Sequence, residues 1–272
     1  MPVISVLWAL GLLTAVSLSL LWNSSVSYDL VRNQEDTAIV DAIAKAAVNQ
    51  AVFRLFDLRP DRQWRMNEAQ MFEFGGAAIR IAIQDELGKI DLNQADPALL
   101  AGLLRSSGLD PDAAAGLADK IVDWRTTTEF KHLNGAKQAE YRAANSAYRP
   151  RNGPFQSVDE LLLVMDMTPA LLRRIEPAVT VYSASQFIDP QRASPEALAV
   201  LPDAIRNLAA ASPSPPSFPV GANDDPTASL RGRAFTVCVE FEKFTRSYRY
   251  DAVVRVTDDP ARPYFLLNWR SR

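Results

Sequence analysis

The chain has 272 residues, 48% of them hydrophobic, and a formal net charge of −3. That length can bury one large core or two smaller ones, and the charge balance excludes a strongly basic protein that binds nucleic acid or anionic surfaces non-specifically. A single cysteine, Cys238, and a single histidine, His132, exclude an intramolecular disulfide and any metal or catalytic site built on paired histidines.

The N-terminus carries a long apolar run. Residues 3–22 contain no charged side chain, and the first one after Met1 is Asp29. A helix rises ~1.5 Å per residue, so about 20 apolar residues span a hydrocarbon core of about 30 Å. The run predicts one transmembrane segment over residues 1–22, with the N-terminus inside and the body exported. A cleaved secretory signal is the alternative, although no Lys or Arg precedes the run and residues 23–27 make only a fair cleavage site.

Residues 23–92 are predicted to continue this helix and then to begin a sheet. Apolar residues recur at i, i+4 and i+7 through residues 39–56, which indicates one long helix whose second half is amphipathic and packs on a sheet. Ile79, Ile81 and Ile83 then alternate with other residues, the period of a half-buried strand. The predicted packing face comprises Ile39, Ile43, Ala47, Val48, Val52, Leu55 and Phe56.

Residues 93–211 carry the start signals of several short helices. Four times a side chain that can cap a helix stands before a proline, which suits the first helical position because its missing N–H costs nothing there. A capping box extends from Ser157 to Glu160. These signals predict an all-helical insert between strands. The four pairs are Asp96-Pro97, Asp110-Pro111, Thr168-Pro169 and Ser194-Pro195.

Proline marks the next boundary. Residues 212–219 contain four prolines, too many for a helix or a central strand, which predicts a linker over residues 212–234. Residues 235–272 then hold three runs with strand periodicity, beginning at Phe235, Tyr248 and Tyr264. The predicted fold class is therefore α+β: a long N-terminal helix packed on an antiparallel sheet, with a large all-helical insert.

The start of the insert, residues 89–95, is similar to the opening of a helix-hairpin-helix or SAM-like domain. In DNA-binding hairpins, glycine-rich turns let backbone amides approach a phosphate. The corresponding turns here, residues 107–112 and 165–169, hold one glycine and three carboxylates between them. Because carboxylates repel phosphate, the turns favour helical packing without a nucleic-acid partner. A membrane-tethered DNA-binding receptor is the alternative function.

Candidate chemical sites are few. Asp123, Glu129 and Glu140 are possible calcium ligands because calcium prefers several carboxylate oxygens, yet lysine and arginine interrupt the set. We expect solvated charges around a core Trp124, an exposed His132, and no cofactor. Cys238 falls on the polar face of its strand with no base suggested nearby, and the sequence holds no phosphate loop, nucleophile elbow or dinucleotide fingerprint. The sequence predicts a protein that is not an enzyme.

Several weak motifs together resemble the K proteins of type II secretion systems, a family of minor pseudopilins. The resemblance implies a pilin-like helix-and-sheet body in the periplasm, a single-pass inner-membrane anchor, and a place at the tip of a short pseudopilus beside other minor pseudopilins. It also implies a role in the export of folded proteins across the outer membrane. The motifs are the apolar N-terminal helix, residues 89–93, Asp123-Trp124, Gly135-Ala136 with Tyr141, residues 155–161, and residues 172–180 around Pro177.

The chain departs from the family pattern in three respects. The family implies a leader removed by prepilin peptidase, which is an expected partner if a leader exists; the sequence starts at Met1-Pro2 without one. The acid that most pilins carry near the start of the helix is absent, as it is in the K proteins. Finally, the resemblance links calcium to positions that here read Arg125, Thr126 and Lys137, so we expect no calcium.

Overall fold

The computed structural model describes residues 2–57, 59, 64, 68–211, 230–259 and 261–271, and it describes the side chains of these residues except residues 18–33. Residues 212–229, most of the predicted linker, lie outside the described residues, as does Met1 at the start of the predicted membrane segment. The rest of the predicted linker leads directly into a strand that begins at Ala234.

The first element is one long helix, α1, Pro2–Leu55. It contains no proline after its first residue, and Asp41 and Lys45 form an i, i+4 ion pair of 2.7 Å on its exposed side. Its described buried residues begin at Val40. Ile39 was predicted to belong to the packed face but is 43% exposed, because it lies one residue before the helix meets the sheet.

Seven strands occur within the described residues. Five of them form one sheet in the order β1-β2-β5-β6-β7, and every neighbouring pair in it is antiparallel. The other two, β3 and β4, form a short parallel pair. The bounds are β1 Ala69–Phe74, β2 Ala77–Asp85, β3 Ile90–Asp91, β4 Val179–Thr180, β5 Ala234–Lys243, β6 Arg246–Val256 and β7 Tyr264–Ser271.

The predicted alternation decides which face of the sheet meets α1. Ile79, Ile81 and Ile83 of β2 are at most 1% exposed, and they pair in register with alternate residues of β5 that are at most 4% exposed. The α+β class with a helix packed on an antiparallel sheet is confirmed. Strand β1 was missed, because its edge position leaves it largely exposed and erases the alternation.

Short helices make up much of residues 93–211, and β4 lies among them. They share one core, which also includes the β3–β4 pair. All four predicted cap-proline pairs begin a helix, and each capping side chain accepts a backbone N–H. The predicted capping box is wrong: Ser157 makes no side-chain cap bond, and a 3₁₀ helix follows it. The bounds are α2 Pro97–Ser106, α3 Pro111–Arg125, α4 Gln138–Ala143, α5 Pro169–Ile175, α6 Pro195–Val200 and α7 Asp203–Ala211.

A buried polar network joins the helical block to the sheet. Asp85, the last residue of β2, is fully buried and pairs with Arg192 at 3.1 Å and with Arg233. The adjacent Glu86 accepts bonds from Lys89 at 2.7 Å, from Thr236 of β5 at 2.6 Å and from Thr180 of β4. The two cores are therefore held together by charges and hydroxyls that satisfy one another.

The direction of α1 relative to the sheet follows from two contacts. Ile43 lies against the turn that precedes β2, 3.3 Å from the position of a Cβ on Gly75. Further along the helix, Asn49 accepts a 2.5 Å bond from Tyr264, at the start of β7. Because Tyr264 pairs with Val256, which lies at the opposite end of the sheet from Gly75, α1 runs toward the end where β2 finishes at Asp85.

Candidate functional site

The N-terminal part of α1 is an exposed apolar surface. Its large hydrophobic side chains are 48–75% exposed, and no other element among the described residues covers them. Large exposed apolar patches mark sites of interaction with proteins or lipid. Among the described residues, no helix meets the combined length and hydropathy expected of a membrane span. The surface comprises Val3, Ile4, Val6, Leu7, Trp8, Leu10, Leu12, Leu13 and Val16.

The two edges of the sheet add smaller apolar surfaces. On edge strand β7, Phe265 and Leu266 are 53% and 51% exposed. On edge strand β1, Met71 and Phe74 are 64% and 52% exposed. Edge strands with apolar side chains present unpaired backbone groups that another chain can use.

The two hairpin turns do not form a phosphate-binding surface. In the first, the carboxylate of Asp110 accepts the N–H groups of Asp112 and Ala113 at 3.1 and 3.0 Å, so those amides are already used. In the second turn, Asp166 occupies a position with φ +70° and pairs with Lys120. A carboxylate therefore stands at each position where a phosphate would have to approach.

The motif residues of the helical block meet in its core. Asn93 exchanges two hydrogen bonds with the backbone of Phe155, at 2.7 and 3.0 Å. Trp124 stacks on Phe155 with ring centroids 6.2 Å apart and lies 6.0 Å from Tyr141. The Tyr141 hydroxyl accepts the N–H of Met165, and burial raises its pKa to about 12. These residues hold the block together, which is a structural role.

Asp123 is buried, which corrects the expectation of a solvated charge. Its carboxylate is 0% exposed and accepts the backbone N–H of His132 at 3.2 and 3.3 Å. His132 Nδ1 lies 2.7 Å from the same carboxylate, so this histidine has a partner although its ring is 44% exposed. A Cβ on Gly135 would stand 1.8 Å from the Asp123 carboxylate, so the loop closes only with glycine there. Trp124, predicted to be in the core, is 3% exposed.

The other two calcium candidates do not join Asp123. Glu140 pairs with Lys131 at 3.0 Å and accepts the backbone N–H of Lys137 at 3.0 Å. The Lys131 contact and that N–H hold the pKa of the Glu140 carboxyl below its ordinary value. Glu129 lies exposed in the loop. Within the described part of the chain, no three acidic, histidine or cysteine side chains are grouped as a metal site.

Basic side chains donate hydrogen bonds to the backbone carbonyl groups of this region. The ammonium of Lys137 donates to the carbonyl oxygens of Asp123 at 2.5 Å and Thr126 at 2.6 Å, and to Asn152 Oδ1 at 3.3 Å. Burial lowers the pKa of Lys137, and the Asp123 carboxylate opposes part of that shift. Arg125 donates in the same way to carbonyl oxygens of the turn before α2. The sequence pointed to Arg125 and Lys137, but it did not predict that their charged groups donate hydrogen bonds to backbone carbonyl oxygens.

Cys238 is a poor nucleophile in this setting. It lies on the outer face of β5 beside Asp251 of β6, its partner in register. Burial, with the Asp251 carboxylate, raises the pKa of the Cys238 thiol to about 12, so the thiol is neutral at physiological pH. Because the reactive form of cysteine is the thiolate, the structure gives this residue no chemical activation.

Residues 82–184 match the sequence profile of the family described as type II secretion system (T2SS), protein K. The type II secretion system protein K of Klebsiella pneumoniae is 36% identical over 77 residues, which cover 28% of this chain and 24% of that protein. The alignment thus spans about a quarter of the length of the curated relative. It is nevertheless consistent with the resemblance carried by the motifs.

A solved structure shares the fold. One chain in the crystal structure of the GspK-GspI-GspJ complex from the enterotoxigenic Escherichia coli type 2 secretion system superposes with a TM-score of 0.61. The superposition covers 89% of this chain and 99% of that chain at 13% identity. This likeness shows that the fold is shared, and the match over residues 82–184 confirms the resemblance to protein K that the sequence motifs predicted.

Proposed function

We propose that this chain, whose residues 82–184 carry a protein K domain of type II secretion systems, is a minor pseudopilin with a structural role in protein export. One observation carries the proposal: the described side chains in the first part of α1 expose an apolar surface that no other described element of the chain covers. An apolar helix of that kind needs lipid or other apolar helices around it. Assembly into a filament would surround this helix with the apolar helices of other subunits.

The proposed mechanism has two stages. Before assembly, residues 1–22 anchor the protein in the inner membrane, with the body in the periplasm. During assembly the helix leaves the bilayer and its apolar surface packs against the helices of partner subunits. Burial of apolar surface contributes a free energy of ~25 cal/mol per Å², so contacts with partner helices can replace the contacts that the helix loses with lipid. If a leader precedes the recorded sequence, prepilin peptidase removes it before this exchange.

The position of the helical block supports a place at the tip of the pseudopilus. The block begins where β2 ends at Asp85, and α1 runs toward that end of the sheet. The bulky block therefore lies away from the apolar end of the helix. A subunit added above it would meet the block rather than a free helix surface, so we propose that this chain caps the filament.

The proposed partners are other minor pseudopilins. The solved relative is described in a complex with GspI and GspJ, and subunits equivalent to those are the proposed neighbours of this chain. The exposed part of α1 and the apolar edges of the sheet are the surfaces available for such contacts. DNA is not a proposed partner, because Asp110 and Asp166 occupy the turns that a helix-hairpin-helix receptor would use.

A secretion assay with charge substitutions in α1 tests the function. Leu12→Lys should abolish secretion while the purified body keeps its circular dichroism spectrum, because a charge would have to enter lipid or a helix bundle. Gln34→Lys, on an exposed and already polar position of the same helix, is the matched control and should secrete normally.

The DNA-receptor alternative is tested in the same strains. The double variant Arg105→Ala and Lys120→Ala should secrete normally, and the purified body should show no salt-sensitive affinity for duplex DNA. Normal secretion by Leu12→Lys would contradict the pseudopilin proposal. Tight DNA binding that disappears in the double variant would favour the receptor.

A further inference from the structure

The loop around Lys137 is organised by a positive charge. The side chain is buried, and the residue is 7% exposed although it is a lysine. Its ammonium contacts three oxygens from three places: Asp123 in the last turn of α3, Thr126 just after that helix, and Asn152 in the loop beyond α4. These contacts tie residues 123–152 into one unit.

Two of the three oxygens lie where a cation is favoured. The last carbonyl groups of a helix have no partner within the helix, and they form the negative end of its dipole. An ammonium group has three N–H donors, which is the number of oxygens here. The oxygens are neutral, two from the backbone and one from an amide, so the ammonium supplies the charge of the site.

Calcium, which the family resemblance implies in this region, does not fit these residues. It takes six to eight oxygen ligands, usually with several carboxylates. Here the Asp123 carboxylate is engaged by His132 and closed in by Gly135, while Glu140 is engaged by Lys131. A divalent ion would also have to stand beside the Lys137 ammonium, which would repel it.

We infer that the Lys137 ammonium is a built-in cation that takes the place of a calcium ion, so that this chain holds residues 123–152 in position without a metal. The same three oxygens that would attract an ion are satisfied by an N–H donor from the chain itself. The stability of this region should therefore be independent of calcium and dependent on the ammonium.

Thermal unfolding of the full chain in detergent tests both halves of the inference. After treatment with chelator, adding calcium up to millimolar concentration should leave the melting temperature unchanged. Lys137→Met keeps most of the side-chain volume and removes the charge, so three oxygens lose the ammonium as a donor, and the Asp123 carbonyl keeps only the 3.4 Å bond from the N–H of Thr126. It should lower the melting temperature by roughly 5 °C and speed amide exchange in residues 123–152. The matched control, Lys131→Met, removes an exposed ammonium from the same loop and should change the melting temperature by less than about 2 °C.

A second variant keeps the test decisive if Lys137→Met fails to fold. Asn152→Asp is nearly isosteric and gives the ammonium a carboxylate partner, so it should raise the melting temperature in the presence of chelator. A calcium-dependent rise in the melting temperature of the unaltered chain would overturn the inference. So would equal effects of Lys137→Met and Lys131→Met, or a lower melting temperature for Asn152→Asp.

Discussion

At the scale of single residues, the helical block depends on a few buried polar side chains that organise backbone. Asp123 shows this most clearly. Its carboxylate fixes the turn at His132, and its carbonyl oxygen accepts from Lys137, so one residue contacts the loop at two points. A residue in this position cannot be replaced by an apolar one without leaving several donors unpaired.

Gly135 should be the least replaceable position of this loop. In Gly135→Ala the new methyl group would overlap the Asp123 carboxylate, which is buried and cannot move aside. We expect a loss of about 2–3 kcal/mol in the free energy of unfolding, measured by urea denaturation.

Gly116→Ala is the control for that variant. Gly116 lies inside α3, and a Cβ there would stand 3.6 Å from its nearest neighbour, which is ordinary contact. Alanine should therefore stabilise the protein by about 0.5–1 kcal/mol through its higher helix propensity. Equal destabilisation by both variants would show that the overlap at Gly135 is relieved by a shift of the loop.

At the scale of elements, α1 is one continuous helix whose two parts have different roles. From Val40 to Leu55 it supplies a core face for the sheet, and before that point its described side chains are almost all exposed.

Two glycines mark the turn between β1 and β2. Gly75 and Gly76 both have positive φ, as a two-residue hairpin turn of type I′ requires, and this pair is the sequence signal that could have revealed β1.

Removal of residues 3–22 should give a soluble, folded body. The described residues that form the sheet core begin at Val40, beyond the deleted segment, so packing against β2, β5 and β6 is retained. The fragment should appear in the supernatant after cell lysis and unfold cooperatively, whereas the full chain should remain in the membrane pellet after a high-salt wash. A fragment that stays in the pellet after that wash would contradict the single-anchor model.

At the scale of the whole molecule, two separate hydrophobic cores meet across a polar seam. Among the described residues, the core formed by the sheet with α1 and the core of the helical block share no buried residue. Between them stand Asp85 and Glu86 with their partners, and Gly88 brings the backbone into close contact with Arg192. The seam sets how the block is docked on the sheet.

Glu86→Ala should therefore destabilise the whole protein. It removes the acceptor shared by Lys89, Thr180 and Thr236 and leaves a buried ammonium without its carboxylate. Breaking a buried pair in this way typically costs about 3–5 kcal/mol in the free energy of unfolding, measurable by urea denaturation.

Glu240→Ala is the comparison for a surface ion pair. Glu240 bridges Arg80 and Arg249 on the outer face of the same sheet, and those partners are about half exposed, so the loss should stay below about 1 kcal/mol. A difference of less than about 1 kcal/mol between the two variants would show that the seam contributes little to stability.

Much of the fold follows from local patterns in the sequence. The cap-proline pairs, the isoleucine alternation of β2 and the unbroken helical period of α1 each depend on residues a few positions apart, and local sterics and hydrogen bonding decide them. The motifs, taken in their order along the chain, also carried the resemblance to protein K. The exposure of His132 was predicted correctly, whereas the burial of Asp123 was not, because burial of a charge depends on which partners the folded chain brings to it.

The sequence by itself therefore determined the class of the fold, the long helix with its apolar first half, and the start points of α2, α3, α5 and α6. Only the tertiary structure decided which carbonyl oxygens Lys137 and Arg125 satisfy, that Glu86 joins three segments, and that β3 pairs with β4. The physical reason is the distance along the chain over which each kind of interaction acts. Periodicity and capping act within one or two turns, whereas a buried charge is tolerable only when groups from several segments converge on it, and the sequence does not show that convergence.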